Sequence, residues 1–164
     1  MAKHLISVLV ENHAGVLLRV SGLFSRRGFN IDSLAVGVTE NPDISRITIV
    51  VDGDDYIVDQ VTKQLNKLID VIKVKNLAPQ DAVSRELVLL KVKCDAKTRL
   101  EIVEIVNIFR AKIVDISKES LTIEITGSGD KVNALQDMLT QYGIMEMART
   151  GVICLERGNA SLTI

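Results

Sequence analysis

Tryptophan is absent from this 164-residue chain, and aromatic residues make up only 3% of it. Its core must therefore be built from Val, Ile and Leu, and the β-branched members of that set favour strands. Only two prolines, Pro42 and Pro79, interrupt the chain. Cysteine is equally scarce: Cys94 and Cys154 lie far apart in apolar, strand-like runs and read as reduced core residues. No apolar stretch approaches the ~20 residues needed to cross a bilayer. No charged-then-apolar signal segment opens the chain, so a cytoplasmic location is expected. Net charge is also missing. The formal total is −1, with nine Lys/Arg against nine Asp/Glu in residues 1–77 and eleven against twelve in the rest. A nucleic-acid-binding chain would carry a basic excess or patch, so no nucleic-acid partner is expected. With 47% hydrophobic and 25% charged residues, the composition is that of a globular protein.

The sequence lacks catalytic constellations as well. His4 and His13 are the only histidines, and no CxxC, HxxxH or HExxH spacing occurs to hold a metal. GxxxxGK[ST] and GxGxxG are both absent. Gly127-Ser128-Gly129-Asp130 reads as a strand-to-helix turn capped by Ser or Asp. Asp52, Asp54 and Asp55 are acids of the kind that solvate the first turn of a helix. No catalytic residue and no metal site is expected.

What is present is an alternation of strand and helix patterns. His4–Val10 reads as a strand, and Val16, Leu17, Val20, Leu23 and Phe24 recur at helical spacing through Arg27. Asn30–Thr39 and Ser45–Asp52 read as strands joined by the turn Glu40-Asn41-Pro42-Asp43. A helix opening at Asp54-Asp55 carries Ile57, Val61, Leu65 and Leu68, and Asp70–Leu77 closes the unit. The order βαββαβ is the ferredoxin-like unit. Ala78-Pro79-Gln80-Asp81 marks a boundary. The order then repeats: strand Glu86–Cys94, and helix Lys97–Phe109 with Leu100, Val103, Val106 and Phe109. Strands Lys112–Ser117 and Leu121–Thr126 follow, then helix Gly129–Tyr142 and terminal strand Ile144–Leu155. The expected fold is α+β, two tandem ferredoxin-like domains over residues 1–77 and 85–164 with a linker at 78–84.

The richest segment is Glu11–Leu34, where Gly15 opens the first helix and Asn12 and Asn30 flank it. First-turn amides without intrahelical acceptors, at the positive end of the helix dipole, attract a carboxylate. The segment therefore reads as a receptor for a small free amino acid. Asn12 has a second reading as a helix cap, Gly15 as a plain turn residue, and Asn30 as a helix-stop residue. His13 reads as solvent-facing, with the second reading that it makes binding pH-sensitive, and Arg19 and Arg46 as surface ion-pair residues. Ile6, Val8 and Val10 oppose Leu5 and Leu9, so the first strand is apolar on both faces. A sheet with helices on one side calls for a cover on the other, and a second copy of the chain is expected to supply it.

The run Asn12-x-x-Gly15, Leu17, Arg19, Gly22-Leu23-Phe24, Arg27-Gly28-Phe29-Asn30-Ile31-Asp32-Ser33-Leu34 resembles the ACT domain of the small, regulatory subunit of acetohydroxyacid (acetolactate) synthase. Ser45–Ile49 and Lys63–Val71 are similar to the later part of that domain. Arg85-Glu86-Leu87, Phe109-Arg110-Ala111, Ile125-Thr126-Gly127 and Ala148-Arg149-Thr150-Gly151 resemble the family's C-terminal domain. The resemblance implies a non-catalytic homodimer without a cofactor of its own. Its large catalytic partner would use thiamin diphosphate, Mg²⁺ and FAD. The small subunit would raise that partner's activity and confer feedback inhibition by valine in branched-chain amino acid synthesis. It further implies an effector site between two ACT domains, with Asn12, His13, Ala14, Gly15 and Val16 from one and Asn30 and Ile31 from the other. Val16 and Ile31 would hold the isopropyl group. The alternative left open is an amino-acid sensor serving a different enzyme or a transcription factor.

Overall fold

The computed structural model describes residues 2–164. The strands are β1 (Ala2–Glu11), β2 (Ile31–Val38), β3 (Ile44–Gly53), β4 (Val71–Leu77), β5 (Ala82–Lys93), β6 (Lys112–Ile116), β7 (Ser120–Gly127), β8 (Ile144–Arg149) and β9 (Ile153–Glu156). The helices are α1 (Val16–Arg27), α2 (Asp55–Leu65), α3 (Arg99–Ile108) and α4 (Gly129–Thr140). The chain divides into two compact units: Met1–Val83 with Val152–Ile164, and Ser84–Gly151.

In the first unit four antiparallel strands run in the order β2-β3-β1-β4. The alternation of β1 sends Ile6, Val8 and Val10 to one face. There they meet Ile47, Ile49 and Val51 of β3, and Val16, Val20, Leu23 and Phe24 of α1. Val58, Val61 and Leu65 of α2 complete this core. Helix α1 ends because Gly28 adopts a left-handed conformation (φ +69°) and donates its N–H to the Ser25 carbonyl, a common glycine stop. Helix α2 starts where Asp54 accepts the Ile57 N–H at 2.9 Å.

The opposite face of the same sheet is covered by the chain's own C-terminal segment. Leu162 packs on Leu9 and Ile44, while Cys154 packs with Leu77 and Ala82 against Leu5. Polar contacts hold the segment down. Arg46 donates to the Leu162 carbonyl at 3.0 Å and to that of Cys154 at 3.4 Å. Lys73 donates to the Thr163 carbonyl, Lys75 pairs with Glu156, and the Val152 N–H reaches Ser33 Oγ.

Three expectations change here. Residues 152–164 belong to the first unit rather than to the second domain, because their apolar side chains fill the face that α1 and α2 leave open. The cover over Leu5 and Leu9 is this segment, so the two-faced apolar pattern of β1 does not by itself call for a second copy. Arg46 is a clamp on backbone carbonyls rather than a surface ion-pair residue, since its guanidinium lies under the segment.

The second unit repeats the order as β6-β7-β5-β8. Its core joins Val88, Leu90 and Val92 of β5 to Leu121, Ile123 and Ile125 of β7, Ile102, Ile105 and Val106 of α3, and Val132, Leu135 and Leu139 of α4. Glu86 is buried but paired with Arg149 at 3.1 Å, and Arg149 also reaches Gln136. The buried stripe of α3 is rotated from the expected one: Leu100 is 78% exposed while Ile102 and Ile105 face inward. Because α3 is apolar around most of its circumference, the 3.6-residue period does not single out one face.

Leu162→Ala is expected to lower the unfolding free energy of the first unit by about 2 kcal/mol in urea titration, the low end for a core leucine. Leu100→Ala is expected to change stability by no more than about 0.5 kcal/mol, as for an exposed position.

Candidate effector site

The turn from β1 into α1 is built around Gly15, the N-cap of α1, whose φ of +90° lies in the left-handed region. Only glycine takes that conformation without strain. A Cβ placed there would also stand 3.8 Å from Nη2 of Arg19, which arches over the glycine. No side chain caps α1, and its first turn holds no acid. The amides of Val16, Leu17 and Leu18 precede the first intrahelical bond, from the Arg19 N–H to the Gly15 carbonyl. They are thus donors at a positive helix end without side-chain acceptors, an arrangement suited to a carboxylate.

The corresponding turn of the second unit is closed. Asp95 accepts the Lys97 and Thr98 amides at 2.8 and 2.9 Å. These bonds from Thr98 and Lys97 lower its carboxyl pKa. Helix α1 also differs from α2, α3 and α4 in carrying no acid in its first turn, where they hold Asp55, Glu101 and Asp130.

Asn12 does not cap α1. Its Nδ2 donates to the Pro42 carbonyl at 2.7 Å and its Oδ1 accepts from Ser45 Oγ at 3.1 Å. With the Asn12 N–H bonded to the Asp43 carbonyl, Asn12 ties the turn to the β2–β3 connection. Val16 is only 4% exposed and packs in the core. Its side chain points away from any ligand on the turn, and its backbone amide is what remains. Ile31 is half-buried and packs partly against the same core. Asn30 is exposed, with a single long contact to Asp32 at 3.5 Å.

Residues 12–16 and Asn30–Ile31 stand at opposite ends of α1. Twelve helical residues at 1.5 Å each separate them by roughly 18 Å, so one chain does not bring the two groups together.

His13 is not turned to solvent alone. Its Nδ1 lies 3.1 Å from the Ala14 carbonyl. Its Nε2 lies 3.0 Å from Asp70 Oδ1 and 3.2 Å from Glu11 Oε2. Both ring nitrogens face acceptors, which only the imidazolium satisfies by donating from each. The Ala14 carbonyl is the leading cause that raises the His13 pKa above the usual 6.5; partial burial opposes it, and the charges of Asp70 and Glu11 assist. Asp70 also pairs through Oδ2 with the Arg19 guanidinium. That hydrogen bond leads the lowering of the Asp70 pKa below 3.8, against burial and with help from the Arg19 and His13 charges.

Asp70 carried no signal as a site residue in the sequence, because it lies 51 positions from Arg19. Its place in the Lys63–Val71 run was the only pointer. Glu11, His13 and Asp70 are also the one group of potential metal ligands that converges among the described residues. Arg19 on the second Asp70 oxygen and the imidazolium between the carboxylates already balance their charge, so the residues fit a proton better than a divalent cation.

A depression of about 440 Å³ beside the turn is lined by Glu11, Asn12, His13, Asn41, Asp43 and Ile44 together with Ile72. The acids on this wall offer acceptors to an ammonium, complementing the amides of α1.

Gly15→Ala is expected to cost about 1–2 kcal/mol of stability through left-handed strain, measurable by thermal unfolding. Since the folded pKa of His13 is raised, its contribution is fully present below pH 6.5 and is lost as pH rises through the folded value. The stability difference between wild type and His13→Gln should therefore shrink as pH rises from below 6.5 through the raised folded value. A difference constant across that range in urea titrations contradicts the imidazolium assignment.

Comparison with known proteins places these features in one family. Residues 6–73 match the family described as AHAS small subunit-like ACT domain, and residues 85–158 match Small subunit of acetolactate synthase. The probable acetolactate synthase small subunit of Archaeoglobus fulgidus is 59% identical over 157 residues, covering 96% of this chain and 98% of the relative. The acetolactate synthase small subunit of Mycolicibacterium smegmatis is 59% identical over 155 residues, covering 94% and 91%. The crystal structure of the acetolactate synthase small subunit from Thermotoga maritima superposes with a TM-score of 0.89 at 45% identity, covering 98% of this chain and all of that one. With both of its domains matched and the relatives covered over 98% and 91% of their own length, this chain belongs to the family of small, regulatory subunits of acetolactate synthase.

Proposed function

We propose that this chain is a non-catalytic regulatory subunit that activates a large, thiamin-diphosphate-dependent acetolactate synthase subunit in the cytoplasm and makes it sensitive to valine. Thiamin diphosphate, Mg²⁺ and FAD belong to that partner, and this chain holds no cofactor. The observation that carries the reading is the open end of α1: uncapped amides, a left-handed glycine and no first-turn acid. A free amino acid places its carboxylate on the amides of residues 16–18 and its ammonium toward the acceptors of the adjoining depression.

The site is completed by a second copy. Asn30 and Ile31 stand at the far end of α1 from the turn, so the partner's ACT domain supplies them to the turn of the first. Edge strand β2 supports the pairing. It borders the sheet on one side and carries no Lys, Arg or Pro, and Val36 and Val38 are exposed on it. Such an unprotected edge favours pairing with another strand. With Val16 turned into the core, Ile31 is the apolar contact left for the isopropyl group. Burying two methyl equivalents more than alanine offers contributes about 1.6 kcal/mol at ~0.8 kcal/mol per group, roughly a fifteenfold preference. Effector bridging two ACT domains biases their arrangement, and a coupling of ~1–3 kcal/mol is enough for effective inhibition.

The test is the acetolactate-forming rate of the separately purified catalytic subunit, with and without this chain, during titration of valine, leucine, isoleucine and alanine. The chain is expected to raise the rate. Valine is expected to suppress the increment, and Asn30→Ala to blunt that suppression while the activation persists. Activation without any effect of valine would remove the effector assignment, and no activation of a matched catalytic subunit would remove the regulatory one.

A further inference from the structure

The β1–α1 turn is short of internal support. Three of its bonds, from residues on both sides of Gly15, instead reach a single residue at the entrance of β4. The Glu11 N–H donates to the Asp70 carbonyl at 2.9 Å. His13 Nε2 lies 3.0 Å from Asp70 Oδ1, and the Arg19 guanidinium holds Asp70 Oδ2. Glu11 precedes the turn, His13 lies in it, and Arg19 stands one helical turn beyond Gly15. The Asp70 side chain is 7% exposed, against 46% for His13 and 51% for Arg19. A buried carboxylate therefore anchors two more exposed cations, from a residue just before β4 that lies outside the β1–α1 turn.

From this geometry we propose that Asp70 is the positioning residue of the effector site: it holds the β1–α1 turn in the one conformation that aims the amides of residues 16–18 at the ligand. The inference rests on the effector-binding reading above. Asp70 touches no ligand itself. It acts on both flanks of Gly15, through Arg19 over the glycine and through the His13 ring beside it.

Preorganisation of this kind strengthens binding because the turn need not be ordered when the ligand arrives. It also makes binding depend on protonation. The groups facing His13 are Glu11 on β1, Asp70 at the start of β4 and the Ala14 carbonyl, with Asp43 on the wall of the same depression. Arg19 faces Asp70 from α1. As the imidazolium, His13 donates to the Ala14 carbonyl and to the carboxylates together. Once neutral it loses one of these bonds, and the turn loosens. Effector affinity is thus highest at acidic to neutral pH and falls as pH rises through the raised His13 pKa.

The test uses the full chain and valine as the probe. Calorimetric affinities are measured across the pH range for wild type, Asp70→Asn, Arg19→Gln and His13→Gln, with the His13 ring titrated by NMR in the absence of ligand. Asp70→Asn keeps the backbone acceptor for Glu11 but removes the charge. It should weaken valine binding about tenfold, equivalent to about 1.4 kcal/mol. It should also move the His13 titration, and with it the fall in affinity, to lower pH. Arg19→Gln should weaken binding while leaving a pH-dependent affinity, and His13→Gln should flatten the pH profile. Should Asp70→Asn fail to fold, those two partly exposed variants carry the same test. Wild-type binding of valine with unchanged affinity in Asp70→Asn, or an unmoved His13 titration in that variant, overturns the positioning role alone. Absence of valine binding by the wild type, even with the His13 titration shifted as expected, overturns the effector reading and the positioning role with it.

Discussion

A four-stranded sheet whose central strand is apolar on both faces has to be covered twice, and most of this structure follows from how that is done. Strand β1 sends Ile6, Val8 and Val10 toward α1 and α2, and Leu5 and Leu9 the other way. Removing both sets from water is the main favourable term in folding a unit of this size. The first cover comes from the helices threaded between the strands. The second comes from residues 152–164, which return after the whole second βαββαβ unit has been made. The first unit is therefore complete only when the end of the chain is in place. Its stability is linked to the C-terminal segment by a physical layer of packed side chains and clamped carbonyls.

That cover and the β1–α1 turn meet on one strand. Ser45, at the start of β3, donates its hydroxyl to Asn12 Oδ1 of the turn. Arg46, the next residue, faces the other side of the strand and grips the Cys154 and Leu162 carbonyls. Alternation along a strand sends neighbouring side chains to opposite faces, so β3 touches the turn with one residue and the returning segment with the next. The two βαββαβ units also differ where it matters chemically. Asp95 steadies the turn before α3 from within through the Lys97 and Thr98 amides, whereas the turn before α1 is tied to Asp70 from outside. A single topology thus carries two differently supported turns, because fold alone does not fix the side chains placed on it.

Much of this was legible in the residues. The element order, the repeat and the glycine-opened helix all follow from local pattern, since periods of 2 and 3.6 report on neighbours in sequence. Legibility ended where local pattern became degenerate. Helix α3 is apolar on most sides, and Leu100 was expected inward though it lies in solvent. Val16 was expected to serve a ligand, yet the first helical position that follows Gly15 points straight into the core. Asn12 looked equally suited to capping and to binding, and the deciding partners, Pro42 and Ser45, are 30 and 33 residues away.

The sequence by itself determined two ferredoxin-like units, an open helix N-terminus after Gly15 and membership in a family of regulatory subunits. Each of these is encoded in contiguous runs whose spacing survives without knowledge of the fold. Only the tertiary structure decided what covers the second face of the first sheet, where Arg46 and Leu162 meet across 116 residues. It alone placed Asp70 under His13 and Arg19 across more than 50. Those pairings depend on which distant segments are brought together when apolar faces are buried. A buried carboxylate or a clamping guanidinium leaves no periodic trace in the chain that supplies it.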